Sequence, residues 1–270
     1  MNNRMLRRLV TVTVLAAASA CGGSDGPTTP SAPAPIPAAE ACGALGSMGS
    51  GLGSRIGILS GAVCSADRSP VVKLNMRDGA GAVGSCTGTI VMPRVVLTAA
   101  HCLDENVETV RVWPGTGPEF VAESFVHYPG FRFNQSGFDV GLIFMGEDLP
   151  RTPVRILTSR QGRVGESAII AGWGRDENSV TFNLRAGSTT LSGVTDAVLQ
   201  TIYSPPSSSV CSGDSGGPIL LSEGGVWTIA GITSATSTDA CNQGINFYQA
   251  IRNQSVLGFI LQHVPDIGQR

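Results

Sequence analysis

Ser215 lies in Gly213-Asp214-Ser215-Gly216-Gly217-Pro218, a glycine-rich turn just after Cys211. Glycines in such a turn let the backbone approach a bound molecule closely. A serine hydroxyl is a poor nucleophile at neutral pH and attacks only with a base beside it. Upstream, Leu97-Thr98-Ala99-Ala100-His101-Cys102 closes the strand-like apolar run that begins Arg94-Val95-Val96, so His101 sits at the end of an element able to hold it still. The other two histidines, His127 and His263, read as structural or solvent-exposed. Between the histidine and the serine motifs, Asp139 heads the run Phe138-Asp139-Val140-Gly141-Leu142-Ile143-Phe144-Met145. A carboxylate entering a core there needs a partner, because an unpaired buried charge is costly. The glycine-rich string alone would be an ordinary surface turn; three such motifs in one chain point to nucleophilic chemistry.

The elements that must position these residues are short. The chain has 270 residues, 42% hydrophobic and 14% charged, enough to bury a core in one or two domains. Its 35 glycines and 16 prolines separate brief stretches rich in Val, Ile and Thr, a pattern of many short strands joined by turns. An all-β barrel or sandwich is expected. Near the C-terminus, Val256, Phe259, Ile260 and Val264 fall at helical spacing, which predicts a final helix over Gln249 to Val264. A net charge of -2 with no dense Lys/Arg run leaves no electrostatic footprint for nucleic acid.

The N-terminus carries an export signal: Arg4, Arg7 and Arg8 precede an apolar run from Leu9 to Ala20, too short to span a bilayer as a helix. Two endings stay open. Ala18-Ser19-Ala20 suits cleavage after residue 20, and the following Cys21 suits a bacterial lipid anchor, with a Gly/Ser/Pro/Ala tether behind it to about Ala39. The product is then either a cell-envelope lipoprotein or a secreted protein. Setting Cys21 aside, six of the seven cysteines remain, an even number suited to disulfides in an oxidising compartment. Without a C-x-x-C or Cys/His cluster, no zinc site is expected.

Taken in the order His, Asp, Ser, the three motifs resemble those of the chymotrypsin/trypsin family of serine proteases. Gly172-Trp173-Gly174 resembles the family's GWG turn, and Ile229-Ala230-Gly231-Ile232-Thr233-Ser234 its substrate-binding strand; the likeness is continuous from about Ile58 to the end. It implies two antiparallel six-stranded Greek-key β-barrels with the active site in the cleft between them and a C-terminal helix. The corresponding organisation is a signal peptide over 1–20, a tether or propeptide over 21–57 and a protease domain over 58–270, with the barrel seam near 145–160. It also implies that His101 takes the proton of Ser215, that Asp139 orients His101, and that the amides of Gly213 and Ser215 form the oxyanion hole. No cofactor or metal is needed. The partners are protein or peptide substrates and an activating protease, the chain acting as a monomer.

Carried further, the resemblance pairs Cys86 with Cys102 and Cys211 with Cys241, leaving Cys42 with Cys64. It makes the chain a zymogen, whose new N-terminal amine at Ile58 pairs with Asp214; the cut falls at Gly57–Ile58 or, alternatively, at Arg55–Ile56. Ser209 corresponds to the floor of the primary pocket, with Ser234, Thr236 and Asn246 beside it. Serine at the floor gives no counter-charge to Arg or Lys, so small or medium uncharged residues are expected at the cleaved position, as in elastases. Two competing functions are an inactive homologue that works as a binding module and a structural envelope lipoprotein; neither accounts for the retention of all three chemical residues.

Overall fold

A computed structural model describes residues 35–46, 58–104, 106–132, 137–176 and 183–270. Residues 1–34 (the signal segment, Cys21 and the first part of the tether), 47–54, Arg55, Ile56 and Gly57 lie outside the described residues. A short helix, α1 (Ala38–Gly43), precedes the strands β1 (Ala62–Val63), β2 (Val71–Asp78), β3 (Val83–Met92) and β4 (Val95–Thr98). A 3₁₀ turn (Ala100–Leu103) leads to β5 (Val107–Trp113), β6 (Phe120–His127) and β7 (Gly141–Met145). After the connection come β8 (Ser167–Gly172), β9 (Arg185–Val194), β10 (Val198–Ile202), β11 (Pro218–Glu223), β12 (Val226–Thr236), β13 (Ile245–Ala250) and α2 (Gln254–His263).

The strands make two closed antiparallel barrels of six. In the first, the order is β2-β3-β4-β7-β6-β5, with β5 returning to β2. In the second, β8-β9-β10-β13-β12-β11 closes through β11 pairing β8, and β1 adds to β9. Closure leaves no long edge exposed. The residue pattern explains the faces: in β5, Val110 and Val112 are buried while Glu108, Thr109 and Arg111 face water, and β4 is buried throughout. This fold class is the one expected from the sequence.

The three disulfides form as the resemblance implied: Cys42–Cys64, Cys86–Cys102 and Cys211–Cys241. Cys42–Cys64 ties α1 to β1, and α1 contributes Ala41, Cys42 and Leu45 to the buried core. The final helix needs correction. It starts at Gln254, not Gln249, because β13 continues through Ala250 and Gln249 pairs with Ile232 and Val198. Asn253 then caps the helix, its Oδ1 accepting the N–H groups of Ser255 (3.0 Å) and Val256 (3.2 Å). Val256, Phe259 and Ile260 face the core as their spacing predicted.

Core position rather than residue type should set the cost of truncation. Ile143 in β7 is fully buried, whereas Val121 in β6 is 57% exposed. Ile143→Ala is expected to lower stability by about 2–5 kcal/mol, and Val121→Ala by no more than about 0.5 kcal/mol, measured by urea unfolding of the two variants against the parent.

Candidate active site

His101 comes from the 3₁₀ turn that leaves β4, and Asp139 from the segment that enters β7; the β4–β7 ladder brings the two together, pairing Thr98 with Gly141. A Cβ on Gly141 would press on Leu103 and on the Ala99 carbonyl, so the bare backbone there allows the histidine turn to sit down on β7. The His101 Nδ1–H donates to Asp139 Oδ2 at 2.8 Å, and the His101 backbone N–H to Asp139 Oδ1 at 3.0 Å. From the second barrel, the Ser234 hydroxyl donates to Asp139 Oδ2 at 2.6 Å and Gln249 Oε1 accepts the Asp139 N–H at 2.9 Å. Burial would raise the Asp139 carboxyl, but hydrogen bonding and charge at His101 and the Ser234 hydroxyl hold it below the usual carboxylate value. With Asp139 ionised, Nδ1 of His101 carries the proton and Nε2 is left as the basic nitrogen.

Ser215 belongs to the turn between β10 and β11. Two bonds seat it on β3: the Thr87 N–H donates to the Ser215 carbonyl at 2.8 Å and the Thr87 hydroxyl to the Gly213 carbonyl at 2.8 Å, while the Trp173 N–H donates to that same hydroxyl at 3.0 Å. The neighbouring Cys86 is bonded to Cys102, next to His101. One stretch of β3 therefore anchors both the histidine turn and the serine turn. The turn's shape depends on glycine at two points. Gly213 has φ +97° and Gly216 φ +82°, and a Cβ at Gly216 would overlap the Thr98 hydroxyl and the Thr87 carbonyl. Among the described residues, neither the Gly213 nor the Ser215 amide has a hydrogen-bond acceptor, which leaves two N–H groups for a ligand oxygen.

Ser209 is fully buried and lies beside the start of the barrel unit, its N–H donating to the Leu59 carbonyl. Its hydroxyl donates to Asn246 Oδ1 at 3.1 Å and leans on the Val210 carbonyl at 3.4 Å; Asn246 Nδ2 donates to Thr201 Oγ1 at 3.1 Å, and Thr201 meets the Tyr248 hydroxyl at 3.1 Å. Thr236 pairs with Asn246 across the β12–β13 ladder and is exposed. Ile58 is buried at 1% in the core of the second barrel and has φ +28°, rare for a β-branched residue. Asp214 is buried beneath the serine turn, its oxygens taking the N–H groups of Gly174 and Cys211. The sulfurs of Cys86 and Cys102 lie near His101 but are spent in their disulfide and offer a metal no thiolate.

Sequence reasoning missed Gln249, Thr87, Asp176 and Arg185. Gln249 was assigned to the helix, although Ile245-Asn246-Phe247-Tyr248 already alternates as a strand does. Thr87 follows Cys86 in a run that carries no chemistry of its own. The Asp176–Arg185 pair, at 2.7 Å and with side chains 1% and 3% exposed, joins residues with no local pattern linking them.

Comparison with known proteins identifies the family. A family profile described as Trypsin matches residues 58–257. Glandular kallikrein of Sus scrofa is 28% identical over 188 residues, covering 55% of this chain and 74% of its own length. Chymotrypsin-like elastase family member 1 of Canis lupus familiaris is 28% identical over 197 residues, covering 58% and 72%. In fold, a solved structure of HL collagenase superposes with a TM-score of 0.62 at 21% identity, over 73% of this chain and 93% of that one. The profile match spans most of the chain, and the curated relatives are matched over about three quarters of their own length, so this protein belongs to the trypsin family and is a serine endopeptidase acting on proteins or peptides.

Proposed function

We propose that the enzyme hydrolyses peptide bonds through an acyl-enzyme formed on Ser215, with His101 as general base and then acid, and Asp139 orienting the imidazole. The observation that carries this is the buried Asp139–His101 pair with the serine turn seated on the adjoining residues of β3. His101 Nε2 would accept the Ser215 proton as Oγ attacks the scissile carbonyl, and the unengaged amides of Gly213 and Ser215 would receive the developing oxyanion. Protonated His101 would then give its proton to the leaving amine. Water, activated by the same imidazole, would release the acyl group.

The proposal extends to selectivity, with small or medium uncharged residues favoured at the cleaved position. What supports it is the Ser209–Asn246–Thr201–Tyr248 chain: every hydroxyl and amide in it faces another, and none is a carboxylate. A Lys or Arg side chain entering there would lose water without gaining a counter-charge. The unit doing this is residues 58–270, behind a signal peptide over 1–20 and a propeptide or tether over 21–57. Export agrees with the family and with the three disulfides. A cut at Gly57–Ile58 would free an amine whose partner, by the resemblance, is Asp214; burial of the Ile58 side chain in the second barrel supports that bond over Arg55–Ile56. Lipid on Cys21 against plain cleavage after Ala20 is decided by mass analysis of the native N-terminus.

Covalent labelling by a fluorophosphonate tests the nucleophile. Labelling is expected at Ser215, lost in Ser215→Ala and reduced about 10⁴-fold in an Asp139→Asn variant shown by circular dichroism to be folded at the assay temperature; an unlabelled protein would leave a binding role. A peptide-library profile should favour Ala, Val and similar residues, and a preference for Arg or Lys would refute the pocket assignment.

The acid side gives a separate check. Because Asp139 ionises more readily folded than unfolded, its contribution to stability is present above the ordinary carboxylate range and is lost as pH falls through the lowered value. Ser234→Ala removes one hydrogen bond to the charged form. It should cost about 1–3 kcal/mol at pH 7 and move the acid-unfolding midpoint to higher pH, followed by circular dichroism.

A further inference from the structure

Asp214, next to the proposed nucleophile, is only 1% exposed, and its two hydrogen bonds, from Gly174 N–H to Oδ1 and from Cys211 N–H to Oδ2, both at 2.8 Å, come from neutral donors. Burial pushes its carboxyl up to about 7, opposed by those backbone N–H groups and by the positive charge of Arg185. An ionised carboxylate in such a place needs a cation.

Strand β9 supplies one. Arg185 stands directly opposite Gly172 in the β8–β9 ladder. Directly opposed residues of an antiparallel pair send their side chains to the same face, with Cβ atoms about 4.5–5.5 Å apart. On that face a Cβ at Gly172 would overlap Asp214 Oδ1, so the missing side chain of Gly172 is what admits the carboxylate next to Arg185. Arg185 is 2% exposed; its Nη2 donates to Asp176 Oδ2 at 2.7 Å, while Nε and Nη1 are buried with no hydrogen-bond acceptor among the described residues. A guanidinium keeps its charge at every accessible pH. Leaving two of its donors dry is costly unless negative charge faces them. The remaining titratable neighbour, the Tyr248 hydroxyl, is pushed up first by its burial and also by Asp214, against its hydrogen bonds with Thr201 and Asn246, and stays neutral.

We propose that Arg185 is the resident counter-cation of Asp214, acting across the gap left by Gly172 to hold the 211–217 turn, with the Gly213 and Ser215 amides, in its competent shape before any cut at Ile58. This rests on Ser215 being the nucleophile. The precursor is then active, and cleavage at Gly57–Ile58 adds a second cation instead of supplying the first. Arg185 is a positioning residue: it works through Asp214 and does not touch substrate.

The test is fluorophosphonate labelling of the chain before and after cutting at Gly57–Ile58, with mass analysis after reduction, since Cys42–Cys64 would hold the two pieces together. Uncut protein is expected to label within about tenfold of the rate of cut protein, and the rate should stay level from about pH 8 to pH 10, where an α-amine with a pKa near 8 would lose its charge. Uncut Arg185→Met should label at least about 100-fold more slowly than the uncut parent, with cutting restoring part of the rate. Arg185→Lys should label nearly as well but fall off in the range where a lysine deprotonates, a profile that a purely structural role would not produce and that decides the matter if Arg185→Met fails to fold. An uncut parent silent where the cut one labels, or an uncut Arg185→Met equal to its parent, would overturn the role of Arg185 alone. Silence of both cut and uncut parent would instead overturn Ser215 as nucleophile.

Discussion

The two barrels are fixed to one another at Thr87. Its side chain is fully buried, so every polar atom it carries into the interface has to find a partner there. A hydroxyl can accept and donate at once, and this one does: it takes the Trp173 N–H and gives to the Gly213 carbonyl, while the same residue's amide serves Ser215 and its carbonyl accepts the Thr98 hydroxyl at 2.9 Å. Four groups from the GWG turn, the serine turn and β4 are thereby set to within hydrogen-bond tolerance of one point. Chemistry divided between two barrels needs such a point, because a serine and a histidine on separate bodies would drift by more than the small misplacement that proton transfer tolerates. The Cys86–Cys102 bond one residue away extends the same anchorage to His101.

Among the described residues around that junction three acids are buried, each stabilised differently. Asp139 has a histidine, a hydroxyl and a backbone amide on its oxygens and is held below the usual carboxylate value. Asp176 has a guanidinium nitrogen at 2.7 Å. Asp214 has only neutral N–H donors and is pushed up. The ordering follows from physics: a full ion pair or charge-assisted contact offsets desolvation, and two amide dipoles offset only part of it. The least compensated acid lies under the turn whose two amides would receive the oxyanion in the proposed mechanism, and that makes the turn sensitive to any cation brought near.

Much of this was legible in the sequence, because the motifs that carry chemistry are short and local. His101, Asp139 and Ser215 each end or begin an apolar run, and the glycines flanking Ser215 have the positive φ or close approach that no other residue allows. Two of the disulfides, Cys86–Cys102 and Cys211–Cys241, followed from the resemblance and Cys42–Cys64 by elimination, since cysteine spacing alone leaves them undetermined. What was not legible is pairing across long separations. Gln249 reaching Asp139 depends on β13 continuing to Ala250, so that the helix starts five residues later than the helical spacing of Val256 and Phe259 suggested, and Arg185 facing Asp214 depends on the β8–β9 register placing a glycine between them. Thr87 is uninformative as a letter; its role exists only once the second barrel presents Trp173 and Gly213 to it.

The leader adds a constraint on control. Helix α1 buries Ala41, Cys42 and Leu45 and is tied to β1 through Cys64, so a cut at residue 57 leaves that helix covalently joined to the barrel. Ile58 is already packed in the second barrel's core, and Leu59 already meets Ser209 in a β-bridge. Little packing therefore remains to be gained by cleavage. The chief local change in the proposed cut would be that a neutral peptide nitrogen at Ile58 becomes an ammonium, with Asp214 as its partner by the resemblance. A switch reduced to one charge can be no stronger than the deficit of charge it fills, and Arg185 has already reduced that deficit.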